Sequence, residues 1–156
     1  SGEIAILEQS ITKQEQELRA KAQKISDKRK KQAVKIEKSI NELLAQLGMQ
    51  HSRFQYALTD AQELNAFGSN ELMVKLSSDK GNTFSDLKKA ASGGELARIN
   101  LSLKSVFTDD GKTPSGIYDE IDTGVSGEIA RKVGGMMKQM SDSQQVIVIT
   151  HLPQIA

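Results

Sequence analysis

Residues 3–47 contain neither proline nor glycine. A forty-five-residue stretch without either breaker is the feature that most restricts this chain. Apolar residues recur there at Ile4, Leu7, Ile11, Leu18 and Ile25. After a change of phase they resume at Ala33, Ile36, Ile40, Leu43 and Leu47. Spacings of three and four predict a long helix with a narrow apolar seam, and the change of phase reads as a stutter. Such a helix would run about 65 Å at 1.5 Å per residue. It is too thinly apolar to be buried in a compact domain. The pattern therefore predicts a coiled-coil arm over 3–47 that needs a partner helix, with Gly48 as its C-terminal cap. The remainder, 48–156, is expected to form a second region.

Charge is distributed unevenly although the formal net charge is only +1. Nine basic residues and two acidic ones lie between Arg19 and Lys38. The densest run is Lys28, Arg29, Lys30 and Lys31, a candidate contact for a DNA backbone. A solvated coiled-coil face explains the same charges equally well. The absence of cysteine excludes disulfides and thiolate zinc sites. Aromatic residues are 4% and tryptophan is absent, which argues against a stacking platform for single strands. No run of 18 apolar residues is present to cross a membrane. The chain opens with Ser1-Gly2 and no methionine, so it is expected to be part of something larger.

Two alternating segments follow the long helix. Phe54, Tyr56 and Leu58 mark one strand; Leu72, Val74 and Leu76 mark another. Residues 61–65 are expected to form a short helical turn, with loops at 68–70 and 77–82. From Ser92 onward the pattern alternates helix and strand. Leu96, Ile99, Leu103 and Val106 form one helical stripe; Ile129, Val133, Met136, Met137 and Met140 form another. Between them lies a short strand at Ile117-Tyr118. Val146 to Ile149 is a continuous apolar run, expected to be a strand covered on both faces. Strand, helix and strand in this order predict a parallel pair. Ligands of open α/β sheets bind at the carboxyl edge of such strands.

At that edge the sequence places Asp119-Glu120 after the first strand and Thr150-His151 after the second. Two carboxylates and an imidazole suit a magnesium nucleotide site. Ser92-Gly93-Gly94-Glu95 reads as a capping box, which accounts for Ser92 and Glu95. It leaves two glycines in a first helical turn, where bare amides attract phosphate and a ligand can approach the backbone. Gly111-Lys112-Thr113 resembles the end of a phosphate-binding P-loop, but position 106 is valine and the triplet precedes a strand. No Walker A motif is present.

Together these segments are far more specific than each is alone. Ala91 to Arg98 resembles the signature motif of ABC-type ATPases in the form used by SMC-like proteins. Ile117 to Gly127 resembles a Walker B motif running into a D-loop. Thr150 to Ala156 resembles a switch-histidine loop. The resemblance implies an α/β fold: the C-terminal lobe of an ABC/SMC-type P-loop NTPase head with parallel strands, preceded by the coiled-coil helix. It further implies ATP and Mg²⁺ as cofactors. Asp119 would bind Mg²⁺ through water, Glu120 would be the catalytic base and His151 would contact the γ-phosphate. Ser92, Gly93, Gly94 and Glu95 would touch nucleotide held by a second head.

Implied partners are an upstream Walker A half, a second head in a homodimer and double-stranded DNA, in the cytoplasm at the bacterial nucleoid, with no membrane. The implied role is DNA double-strand break repair and recombination by ATP-dependent head dimerisation and tethering of DNA ends. By itself this chain is expected to be inactive. The competing readings are a non-catalytic scaffold, for which Glu120 would be superfluous, and a transporter subunit, against which Glu95 and the long helix argue. Ser126 stands where most D-loops carry aspartate.

Overall fold

The computed structural model describes residues 2–78, 83–107, 115–119, 121–125 and 127–156. Helix α1 spans Gly2–Gln46 and is unbroken over 45 residues. It is followed by strands β1 (Arg53–Asn65) and β2 (Gly68–Ser77), the short β3 (Ser85–Asp86) and one helical turn, α2 (Leu87–Ala90). Then come α3 (Gly93–Phe107), β4 (Ser115–Tyr118), α4 (Gly127–Met140) and β5 (Gln145–Val148). α1 stops where its breaker stands: Gly48 adopts φ +81°, a left-handed conformation that glycine takes without penalty.

The chain divides into two compact units, Ser1–Lys35 with Tyr56–Met73, and Ile36–Gln55 with Val74–Ala156. In the first, one side of α1 carries Ala22 and Ser26, both buried. Asn70 donates from Nδ2 to Ser26 Oγ at 3.0 Å and to Asp60 Oδ1 at 3.2 Å. Lys30 Nζ lies 3.4 Å from the same Asp60 oxygen. Asn70, itself buried, therefore ties the hairpin to the helix by hydrogen bonds. Ile4, Leu7, Ile11 and Leu18 are each more than half exposed, so the apolar seam faces outward along this stretch.

Strands β1 and β2 are joined by the two residues Ala66 and Phe67, a connection that only antiparallel neighbours accept. The expected helical turn at 61–65 and loop at 68–70 are strand instead. Phe67 N–H donates to Asn65 Oδ1 at 2.8 Å, an Asx turn that closes the hairpin in two residues and leaves the flanks free to pair. β3 pairs antiparallel with β2 through Lys75–Asp86 and Leu76–Ser85. Of the expected 77–82 loop, Ser77 ends β2 and 79–82 lie outside the described residues.

The core of the second unit gathers Leu47, Leu101, Tyr118, Ile121, Val133, Met136, Met137 and Met140. β4 and β5 are parallel, paired Ser115–Gln145 through Tyr118–Val148, with α4 as the crossover. The α4 stripe buries Val133, Met136, Met137 and Met140 as expected, with Ala130 fully buried and Ile129 only partly so. α3 differs: its buried positions are Gly94, Arg98, Ile99, Leu101 and Ser102. Of the four apolar positions expected to form the stripe, only Ile99 is fully buried. The helix turns its glycine and arginine inward because both contact the loop after β4. β5 differs as well. Ile147 and Ile149 are 44% and 54% exposed, and Ile117 on β4 is 65% exposed. This two-stranded sheet is covered on one face, not both. Asn41 fixes α1 to the start of β1: its Nδ2 donates to Phe54 O at 3.0 Å and its Oδ1 accepts from Phe54 N–H at 2.8 Å.

Candidate functional site

The signature segment builds a helix start. Ser92 N–H donates to Glu95 Oε2 at 2.8 Å, and Glu95 N–H reaches Ser92 Oγ at 3.4 Å. This is the reciprocal capping box expected of the sequence. The two glycines behind it differ in kind. Around Gly93 nothing stands within 4 Å of where a Cβ would be, so its face is open. Gly94 is buried, and a Cβ there would collide with the carbonyl oxygen of Thr123. Sequence reasoning attributed both glycines to approach from outside. Only Gly93 is placed for that, whereas Gly94 admits the protein's own loop.

Thr123 belongs to the turn that follows β4, residues 121–124. Its carbonyl also accepts a hydrogen bond from Arg98 Nη1 at 3.1 Å. Arg98 is 8% exposed, and among the described residues its buried Nε has no hydrogen-bond partner. Burial holds its pKa below the ordinary guanidinium value, an effect that Glu95 opposes. The guanidinium remains cationic at any physiological pH.

One residue earlier, Asp122 Oδ2 accepts from the Thr150 hydroxyl at 2.7 Å and from the His151 backbone N–H at 2.6 Å. Thr150 Oγ1 in turn accepts from Leu152 N–H at 3.1 Å. These bonds hold the Asp122 carboxyl below the usual carboxylate range, the Thr150 hydroxyl foremost and the His151 amide next. Neither Asp122 nor Arg98 was assigned a role from sequence. A short side chain three residues after a strand-terminal acid gives no signal by itself. The β4–β5 register, which sets Tyr118 beside Val148, is what brings it opposite Thr150.

Asp119 directly follows β4 and is exposed. His151 lies beyond the end of β5, its side chain exposed as well. Parallel pairing puts both at one end of the sheet. Glu120 and Ser126 lie outside the described residues. An opening of about 440 Å³ between α3 and β4 is lined by Gly93, Ala97, Asn100, Lys104, Tyr118 and Asp119, among others. Lys104 Nζ sits 4.8 Å from the centroid of the Tyr118 ring, within cation–π range. Among the described residues no group of three or more His, Asp or Glu side chains is gathered to hold a metal. Asp119 supplies one hard oxygen donor of the kind Mg²⁺ takes, and that ion completes its shell with water and substrate phosphate. The residues present fit a shared metal and not an all-protein cage.

No protein-family model matches the chain. The DNA repair protein RecN of Rickettsia felis is 40% identical over 156 residues, covering 100% of this chain and 28% of that protein. The chain is similar in sequence to RecN along its whole length. The DNA repair protein RecN of Haemophilus influenzae is 34% identical over 142 residues, covering 90% of the chain and 25% of that protein. The protein of that name in Deinococcus radiodurans is 35% identical over 140 residues, with 90% and 24% covered. The chain thus spans about a quarter of the length of the RecN proteins it matches.

Among solved structures, the Smc head domain with a coiled coil and joint from Pyrococcus yayanosii matches 99% of the chain and 28% of its own length. The TM-score is 0.65 at 24% identity. The Smc head domain with an extended coiled coil from Pyrococcus furiosus, solved bound to the C-terminal domain of ScpA, gives 0.64 at 22% identity, covering 99% and 36%. The fold is that of part of an Smc head domain with a long helix leading into it. Among the described residues no helix is long and apolar enough to cross a membrane.

Proposed function

We propose that this chain is the C-terminal lobe of an SMC-like ATPase head acting in DNA double-strand break repair and recombination. Residues 3–47 are the returning arm helix and 48–156 belong to the head. ATP and Mg²⁺ are the cofactors. Asp119 holds Mg²⁺ through water, Glu120 takes the proton from the attacking water, and His151 meets the γ-phosphate. Ser92, Gly93 and Glu95 face nucleotide on a second head, Gly93 offering the open backbone, while Gly94 beside them admits the Thr123 turn. When bound, the nucleotide with its metal would supply the phosphoryl group to be transferred and the negative charge that the helix start at Ser92–Glu95 suits.

The observation that carries this reading is the meeting of three segments at one turn. Thr123 touches the signature helix at Gly94 and Arg98, and Asp122 touches the switch loop at Thr150 and His151. A structural scaffold has no need to bring a helix start, a strand-terminal acid and a histidine loop together around two consecutive residues. The 34–42% identity to DNA repair proteins supports the repair role.

An upstream half bearing the Walker A loop completes each site, and a second copy completes the pair. Head closure on ATP tethers DNA ends in the cytoplasm, at the nucleoid. Lys28, Arg29, Lys30 and Lys31 meet the DNA backbone. This chain alone, without a Walker A loop, turns over no ATP. The test is ATP turnover by the full-length protein with and without Glu120→Gln, in the presence of double-stranded DNA. Turnover abolished by the substitution supports the reading; turnover indifferent to it removes the catalytic assignments.

A further inference from the structure

The parallel pairing of β4 and β5 ends on the bond from Ile149 N–H to Tyr118 O at 2.9 Å. Beyond that point, among the described residues, no strand partner guides the chain toward His151. Asp122 takes over. A single carboxylate oxygen accepts from the Thr150 hydroxyl and from the His151 N–H, at 2.7 and 2.6 Å. Thr150 is fixed from its other side by Leu152 N–H. The His151 backbone is therefore pinned on one residue while its imidazole stays exposed. Asp122 in turn sits on a turn held from behind: the next carbonyl is packed on Gly94 and accepts a hydrogen bond from buried Arg98.

We infer that Asp122 is a positioning residue for His151, setting where the imidazole stands relative to the signature helix. The inference rests on the proposed nucleotide role of His151. Asp122 itself touches no substrate. It works through two bonds to the switch loop, and a displacement of about 1 Å at a reacting group is enough to lower turnover a hundredfold. Asparagine at 122 keeps a neutral acceptor oxygen in place; alanine keeps none.

The test uses the full-length protein and two readouts. The first is the steady-state rate of ATP turnover for Asp122→Ala, Asp122→Asn, His151→Ala and the Asp122→Ala/His151→Ala pair. Asp122→Ala is expected to lower kcat about tenfold or more with KM within about twofold. Asp122→Asn should fall between it and the unmutated protein, and the pair should be no slower than His151→Ala alone. The second readout is hydrogen exchange at the His151 amide without nucleotide, expected to quicken in Asp122→Ala while exchange in α4 is unchanged. Thr150→Val, which removes one of the two bonds, serves if the alanine variant does not fold.

Turnover lost in Glu120→Gln but unaffected in Asp122→Ala overturns the positioning role alone. So do losses that multiply in the pair, or an unchanged His151 amide. Turnover that survives Glu120→Gln removes the catalytic assignments of the proposed function, the role of His151 among them, and this positioning role with them.

Discussion

The carbonyl oxygen of Thr123 occupies the space where a side chain at Gly94 would begin. The contact is backbone to backbone, so neither side can yield by rotating a side chain. Gly94→Ala is expected to destabilise the fold by about 1–3 kcal/mol through overpacking, or to push the turn carrying Asp122 away from the switch loop. Gly93→Ala meets open space and exchanges a poor helix former for a good one. It should be neutral or stabilising by up to about 1 kcal/mol. Thermal unfolding of the two variants side by side distinguishes these outcomes; equal melting points would refute the contact.

Arg98 should be intolerant of truncation. Arg98→Ala leaves the Thr123 carbonyl without its charged donor and a cavity beside it. A loss of about 2–4 kcal/mol is expected. Lysine keeps a charge and one donor but not the planar fork, and should recover part of that loss. Urea midpoints of the three proteins provide the check.

The Asp122 carboxyl has its pKa lowered on folding, chiefly by the Thr150 hydroxyl and the His151 amide. A depressed folded value means its contribution is complete above the ordinary aspartate value of 3.8 and fades as pH falls through the folded value. The stability difference between the unmutated protein and Asp122→Asn should therefore be constant above about pH 5 and shrink below about pH 4. Urea denaturation across pH 3–6 reads this directly, and a difference that grows on acidification has the wrong sign.

Asn41 lends its amide to Phe54 as a strand would, through one accepted and one donated bond, and also donates to Glu37 O at 2.8 Å. Asn41→Asp keeps the acceptor but loses the donors and sets a carboxylate beside the Phe54 and Glu37 carbonyls. It should cost about 2–3 kcal/mol, more than an ordinary surface change. An unfolding midpoint unchanged by the substitution would contradict the bond pattern.

If the basic run on α1 lies along DNA, replacing Lys28, Arg29, Lys30 and Lys31 with glutamine should flatten the plot of log affinity against log salt by about 3–4. Lys30 already pairs with Asp60 and should contribute least. An unchanged slope would leave these residues as a solvated face.

What could be read from the residues divides along physical lines. The long helix, the capping box and the parallel pair follow from periodicity, local hydrogen bonding and connection length, all of which are short-range rules. The hairpin was only half legible. Residues 61–65 look like a helical turn and 68–70 like a loop, yet the Asx turn at Phe67 shortens the connection to two residues. The inward face of α3 was misjudged because hydrophobicity marks leucine and valine, whereas this helix buries Gly94, Arg98 and Ser102 against a backbone turn. Asp122 went unassigned for a similar reason: its partners are a hydroxyl and an amide some 28 residues away, joined to it by strand register alone. The exposed isoleucines of β4 and β5 show that an apolar run reports what a strand can be covered by, not what covers it in this chain.

The most direct test of the account is whether the open face at Gly93 meets nucleotide on a second head. Full-length protein carrying Glu120→Gln should convert from monomer to dimer on adding ATP, measured by sedimentation velocity. Gly93→Asp in that background adds a carboxylate that suits a helix N-terminus and repels phosphate. The account predicts an unchanged melting point and no ATP-dependent dimer. Dimerisation undiminished by Gly93→Asp would contradict it.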